Sequence, residues 1–151
     1  MARRAAALVR PRVDSPMETR VRLLIVLSGL PEPLTNVTVK DADGGWIGMV
    51  DLAYAAYKIA IEYHGDVHRT TPRRWRADVA KAELLGRLGW RVIILTADDV
   101  YGRPSRTLAR LQQALVDAGH PAVPPDLDPA WRPHFARGDQ LAEPGHGRVV
   151  P

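Results

Sequence analysis

Asp51 lies inside the apolar run Met49-Val-Asp-Leu-Ala53, and Glu62 lies between Ile61 and Tyr63. A carboxylate in a half-buried strand is costly without a partner, which makes both residues candidates for a site. If Tyr54-Ala-Ala-Tyr57 turns as a hairpin centred between Ala56 and Tyr57, Asp51 stands directly opposite Glu62. Opposed residues have Cβ atoms roughly 4.5–5.5 Å apart, so two carboxylates there repel each other unless they share a cation. His64, two residues after Glu62 on the same strand face, changes charge near neutral pH and suits a general base or a ligand. His68 in the following loop is a second candidate base, and Lys81 on the next helix is a source of fixed positive charge. Such a set suits Mg²⁺ or Mn²⁺, which take hard oxygen ligands and keep several waters. It would serve to hydrolyse a phosphodiester, where a cation neutralises charge on phosphoryl oxygens.

The chain has no Cys, which removes disulfide frameworks, thiolate zinc sites, Cys nucleophiles and iron–sulfur clusters together. A reducing cytoplasm fits that composition. Charge is unevenly placed along the sequence. Residues 1–22 carry Arg3, Arg4, Arg10, Arg12, Arg20 and Arg22 against Asp14 and Glu18, and residues 69–91 are again basic, with Arg73, Arg74 and Arg76 clustered. Between them, residues 23–68 are net acidic. Cations flanking a carboxylate cluster are what a metal-dependent enzyme on a polyanion requires, although a mixed solvated surface has the same composition.

At 151 residues the chain has room for one compact domain. The sequence divides into a flexible basic arm at residues 1–14, a domain at 15–118 and a Pro/Gly-rich tail at 119–151, read as extended. Ser15-Pro-Met-Glu18 has the form of a capping box, and Met17, Val21, Leu24 and Leu27 continue it as an amphipathic helix ending at Gly29. Residues 36–39 read as a short strand and 46–53 as a second, with Trp46, Val50 and Leu52 on one face and Asp51 on the other. Residues 58–63 form a third strand, with Ile59, Ile61 and Tyr63 opposite Ala60, Glu62 and His64. Thr71-Pro72 opens a helix reaching Leu88, with Trp75, Val79, Ala82, Leu85 and Leu88 inward and Arg73, Arg74, Arg76 and Lys81 mostly outward. Residues 90–96 are nearly continuously apolar, as in a strand buried on both faces beside a parallel neighbour, and residues 105–118 close the domain as a helix. The class is therefore α/β, a mixed central sheet flanked by helices in the order α-β-β-β-α-β-α.

That order, with Asp51-Leu-Ala on the second strand, Ile61-Glu-Tyr-His-Gly-Asp-Val-His68 across the third strand and its exit, and Gly89-Trp-Arg-Val before the last, resembles a known superfamily. It is similar to the PD-(D/E)XK, or restriction-endonuclease-like, nucleases. Within them it resembles the very-short-patch-repair-like endonuclease domain of many uncharacterised bacterial proteins, over roughly residues 15–116. The resemblance implies that Asp51 and Glu62 ligate the metal, that the backbone carbonyl of Tyr63 completes the shell, and that Glu18 binds the metal or its water. It also implies that Arg74, Asp78 and Lys81 line the substrate side. The sequence departs from the pattern where a Lys is expected two residues after Glu62 and His64 stands instead. Relatives with a structural zinc use Cys among its ligands, and this chain has none.

Other roles compete at each position. The capping box alone accounts for Glu18. Asp66 suits a turn, and Asp98 and Asp99 suit helix caps. Trp46, Trp75 and Trp90 fit core positions, while the Arg73, Arg74 and Arg76 cluster fits phosphate contact beside the acidic site. The function expected is an Mg²⁺- or Mn²⁺-dependent endonuclease cleaving DNA, cytoplasmic, with no membrane span because no apolar run reaches about 18 residues. A homodimer would give the two active sites needed to cut both strands. The alternative is a catalytically silent nuclease fold binding DNA or a partner protein as a regulator in a defence or toxin–antitoxin locus. An RNase-type toxin shares the same metal chemistry.

Overall fold

A computed structural model describes residues 15–65 and 71–135. His68, Asp66, the arm at residues 1–14 and the end of the tail at residues 136–151 lie outside these residues.

The first helix, α1 (Pro16–Leu27), starts as the capping box requires: Ser15 Oγ accepts from the Glu18 N–H at 3.2 Å. It ends at Gly29, whose φ of 81° supplies the left-handed residue that closes a helix. Three strands follow, β1 (Leu34–Lys40), β2 (Trp46–Tyr54) and β3 (Ile59–Tyr63), then α2 (Pro72–Arg87), β4 (Arg91–Leu95) and α3 (Pro104–Asp117). The class is α/β, with a four-stranded mixed sheet in the order β1-β2-β3-β4. β1, β2 and β3 are successively antiparallel, and β4 is parallel to β3 through the α2 crossover.

The sheet divides two clusters. Leu52, Ile59, Ile61, Ile93 and Leu95 pack with α1 and α3, while Val39, Val50, Ala53 and Ala60 pack with Leu85 of α2. Val50 and Leu52, expected on one face, therefore lie on opposite faces. The alternation of β2 reverses at Asp51, and β1 reverses with it at Asn36, which holds a φ of 49°.

Four further expectations are corrected. Trp75 and Val79 are not inward; they are 62% and 39% exposed, because α2 meets the sheet only through its later turns, where Leu85 is its one buried side chain. Lys81, expected outward, points in. β4 has its parallel neighbour and forms an edge of the sheet; it is buried fully on one face only, through Ile93 and Leu95, while Ile94 on the α2 face remains 44% exposed. Trp46 is likewise a surface residue, not core.

The segment read as the start of an extended tail is packed. A turn at Pro129–Trp131 capped by Asp128, followed by α4 (Arg132–Phe135), places Trp131 and Phe135 in the larger cluster, each 3% exposed. The Asp128 N–H donates to the Ser28 carbonyl, tying the segment to the end of α1. Pro-rich composition masked two aromatic anchors. Trp131→Ala is accordingly expected to destabilise the domain by about 3–5 kcal/mol, the usual cost of emptying a buried Trp position. A urea midpoint unchanged from the wild type would show that residues 119–135 are an appendage.

Candidate functional site

The β2–β3 ladder pairs Leu52 with Ile61, the register expected from a turn centred between Ala56 and Tyr57. One step further in that register, Asp51 stands opposite Glu62. The regular ladder stops there, and the Tyr63 N–H donates instead to Asp51 Oδ2 at 2.9 Å. The Asp51 side chain thus lies in the seam between β2 and β3, where a backbone carbonyl would ordinarily serve.

Glu62 leaves β3 on the α2 face and meets Lys81, whose Nζ is 2.5 Å from Glu62 Oε1. Lys81 Nζ also donates to the Met49 carbonyl on β2. The lysine stem passes close over residue 48, a glycine: a Cβ there would lie 3.3 Å from Lys81 Cε, and the stem would have to give by a few tenths of an ångström. The four-carbon stem crosses bare backbone while its ammonium turns into the site. The two side chains are only 13% and 25% exposed, for Glu62 and Lys81 respectively.

Burial raises the Glu62 acid above its ordinary value, the Lys81 hydrogen bond and charge pull it down, and the charges of Asp51 and Asp78 push it up again. Three carboxylates and one ammonium therefore act on each other. Asp78, not Glu18, is the third carboxylate felt by Glu62. Glu62, His64, Asp78 and Lys81 line one cleft, with Leu85 and Ile94 among its apolar walls. The His64 N–H donates to the Leu95 carbonyl at 2.7 Å, which fixes the chain just beyond β3.

Of the residues marked from the sequence, Asp51, Glu62, Lys81 and His64 come together at the end of β3. Tyr63 contributes its N–H to Asp51, and Glu18 sits in the first turn of α1, on its cap. Arg73, Arg74 and Arg76 are exposed on the first turns of α2, with Trp75 between them. Trp75, Asp78, Ala82 and Leu85 follow one helical stripe, so the exposed indole continues the line of cleft residues by one turn. Asp99 fills a capping role, accepting from the N–H and hydroxyl of Thr96, whereas Asp98 pairs with Arg103.

The carboxylates of Asp51 and Glu62 are hard oxygen donors of the kind Mg²⁺ and Mn²⁺ prefer, and ions that keep most of their water need few protein ligands. Among the described residues no three His, Asp or Glu side chains form a compact ligand group. A cation in this cleft would share Glu62 with Lys81.

No family model matches the sequence, and no solved structure matches it significantly. Two uncharacterised proteins of Mycobacterium tuberculosis, from different strains, are each 31% identical over 104 residues. The aligned region is 69% of this chain and 38% of each relative, so the chain spans well under half the length of the curated relatives it matches.

Proposed function

We propose that this protein is a metal-dependent endonuclease with a restriction-endonuclease-like core, hydrolysing DNA phosphodiester bonds. The observation that carries the reading is the junction of Asp51, Glu62 and Lys81. Two carboxylates on adjacent strands share a half-buried site with one ammonium, an arrangement that is expensive for the fold and suited to a cation and a phosphate. The positive charge that the superfamily pattern expects two residues after Glu62 is supplied here from α2.

A divalent cation held by Asp51 and Glu62 would supply charge neutralisation at the phosphoryl oxygens and acidify a water. Lys81, already oriented by Glu62 and the Met49 carbonyl, stabilises charge that develops as the phosphate is attacked. His64, on the same cleft wall, accepts the proton of the attacking water. Arg73, Arg74 and Arg76 hold the DNA backbone without reading its sequence.

A second reading, a silent nuclease fold that binds DNA or a partner protein, is favoured by the lack of a three-residue ligand group among the described residues. Calorimetric titration with Mg²⁺ and Mn²⁺, paired with plasmid cleavage, separates the two. Saturable cation binding and cation-dependent cleavage, both lost in the Asp51→Asn plus Glu62→Gln double variant, support the nuclease. Binding of DNA with neither cation binding nor cleavage would overturn it.

The Arg cluster makes its own prediction. Arg73→Ala, Arg74→Ala and Arg76→Ala together should reduce the slope of log affinity against log salt on duplex DNA by up to about 3, roughly 0.9 per lost phosphate contact. Because the three side chains are exposed, the thermal midpoint should hold. An unchanged salt slope measured by fluorescence anisotropy would remove this face from the DNA interface.

A further inference from the structure

Among the described residues, Asn36 is one of two non-glycine residues with positive φ, and it stands in the middle of an edge strand, at 49°. Asn tolerates this left-handed region better than most residues, at a cost that persists only where the surroundings impose it. In the β1–β2 ladder, Thr35 pairs with Leu52 and Val37 with Val50, and the position passed over between these two pairs is Asn36 opposite Asp51. At that same position both strands exchange faces. Val37 and Val50 pack toward Leu85, whereas Leu52 packs with α1 and α3. A regular strand would point Asp51 perpendicular to the sheet. The reversal instead lays its carboxylate edge-on in the β2–β3 seam, where it accepts from the Tyr63 N–H beside Glu62.

We infer that Asn36 is a positioning residue: its left-handed backbone holds the paired reversal of β1 and β2 that turns the Asp51 carboxylate toward Glu62. Asn36 acts through its neighbour and need not touch a ligand. The consequence for cation binding rests on the function proposed above; the consequence for Asp51 does not.

The test compares Asn36→Gly, which accepts positive φ without a Cβ penalty, with Asn36→Val, whose branched side chain opposes it. In the metal-free full chain, amide exchange at Tyr63 reports directly on the Asp51 acceptor. Asn36→Gly should keep wild-type protection to within a few fold, and Asn36→Val should speed Tyr63 exchange by about tenfold or more, beyond any change at Ile61 on the same strand. Mg²⁺ and Mn²⁺ affinity should follow the same order, with a loss on the order of 10- to 100-fold in Asn36→Val and rescue in Asn36→Gly. Asn36→Ala, a milder block to the left-handed region, replaces Val if that variant does not fold. Unchanged Tyr63 protection in a folded Val or Ala variant overturns the inference. If wild-type protein binds neither cation, the proposed function fails, while the Tyr63 comparison still decides the role of Asn36.

Discussion

Under the proposed function, Asp51→Asn is expected to lower cation-dependent cleavage by about 10³-fold or more while leaving the fold standing, because several kcal/mol of transition-state stabilisation would depend on the cation that this carboxylate would help to hold. The substitution is nearly isosteric, and the amide oxygen still accepts from the Tyr63 N–H, so the end of the β2–β3 seam is retained. What is lost is a negative charge. Since the Asp51 charge is one of the causes holding the Glu62 acid high, its removal lets the Glu62 value fall toward normal. The ionised form of Glu62 then costs the fold less at neutral pH, so the thermal midpoint should be unchanged or slightly higher. A variant that loses cleavage and gains stability is the signature of a residue kept for chemistry. Cleavage within tenfold of wild type, measured under single-turnover conditions, would sink the assignment of Asp51 as a ligand.

Much of this site is legible in the sequence where local rules decide it. The capping box fixes the start of α1, and the tight turn between β2 and β3 fixes the register that brings Asp51 and Glu62 side by side. Helix periodicity misleads at Lys81 because it assigns charged residues to solvent, whereas this stem lies over Gly48 and its ammonium over Glu62. The signal was the glycine itself: an isolated Gly inside a strand pattern often marks a close approach. In the same way, Val50-Asp-Leu52 reads as plain alternation, and only Asn36 on the neighbouring strand, a residue poor in sheets and tolerant of positive φ, hints that the alternation reverses. Trp75 satisfies the inward stripe of α2 by spacing, yet periodicity cannot tell where the sheet beneath a helix ends. Trp131 and Phe135 show the opposite failure, since four of the Pro in residues 119–130 obscure two residues that reach the core.

Those departures converge on one feature. Gly48, Asn36 and the inward Lys81 each break a local preference, and each does so beside Asp51 and Glu62. Violations of local consistency are expected to gather where function is built, with the rest of the fold carrying their cost. The larger cluster around α1 and α3 supplies that support on the far side of the sheet, where no comparable irregularity falls on Ile59, Ile61, Ile93 or Leu95.

Lys81→Met separates the electrostatic role of the lysine from its packing, since methionine retains an apolar stem over Gly48 and removes the ammonium. Glu62 would then be a largely buried carboxylate facing Asp51 and Asp78 with its hydrogen-bonded cation gone. Lys81 is what draws the Glu62 acid downward, so its loss moves that value further up from an already raised position. A group whose acid is raised on folding stabilises the fold fully below its ordinary value, 4.5 for Glu62, and loses that contribution as pH climbs through the raised value. The variant should therefore be about 1–3 kcal/mol less stable than wild type at neutral pH, with the gap closing as the buffer is brought down toward about pH 5. Under the proposed function cation binding would need ionised Glu62, so it should begin at a higher pH than in wild type, and cleavage should fall on the order of 10²- to 10³-fold. Adding Glu62→Gln to Lys81→Met removes the titrating group, so the double variant should regain stability at neutral pH and lose the pH dependence while remaining inactive. Urea denaturation of the three proteins at the two pH values checks each sign. Equal stability of wild type and Lys81→Met at neutral pH, with cation binding undisturbed, would mean that the Glu62–Lys81 pair plays no electrostatic part in the site.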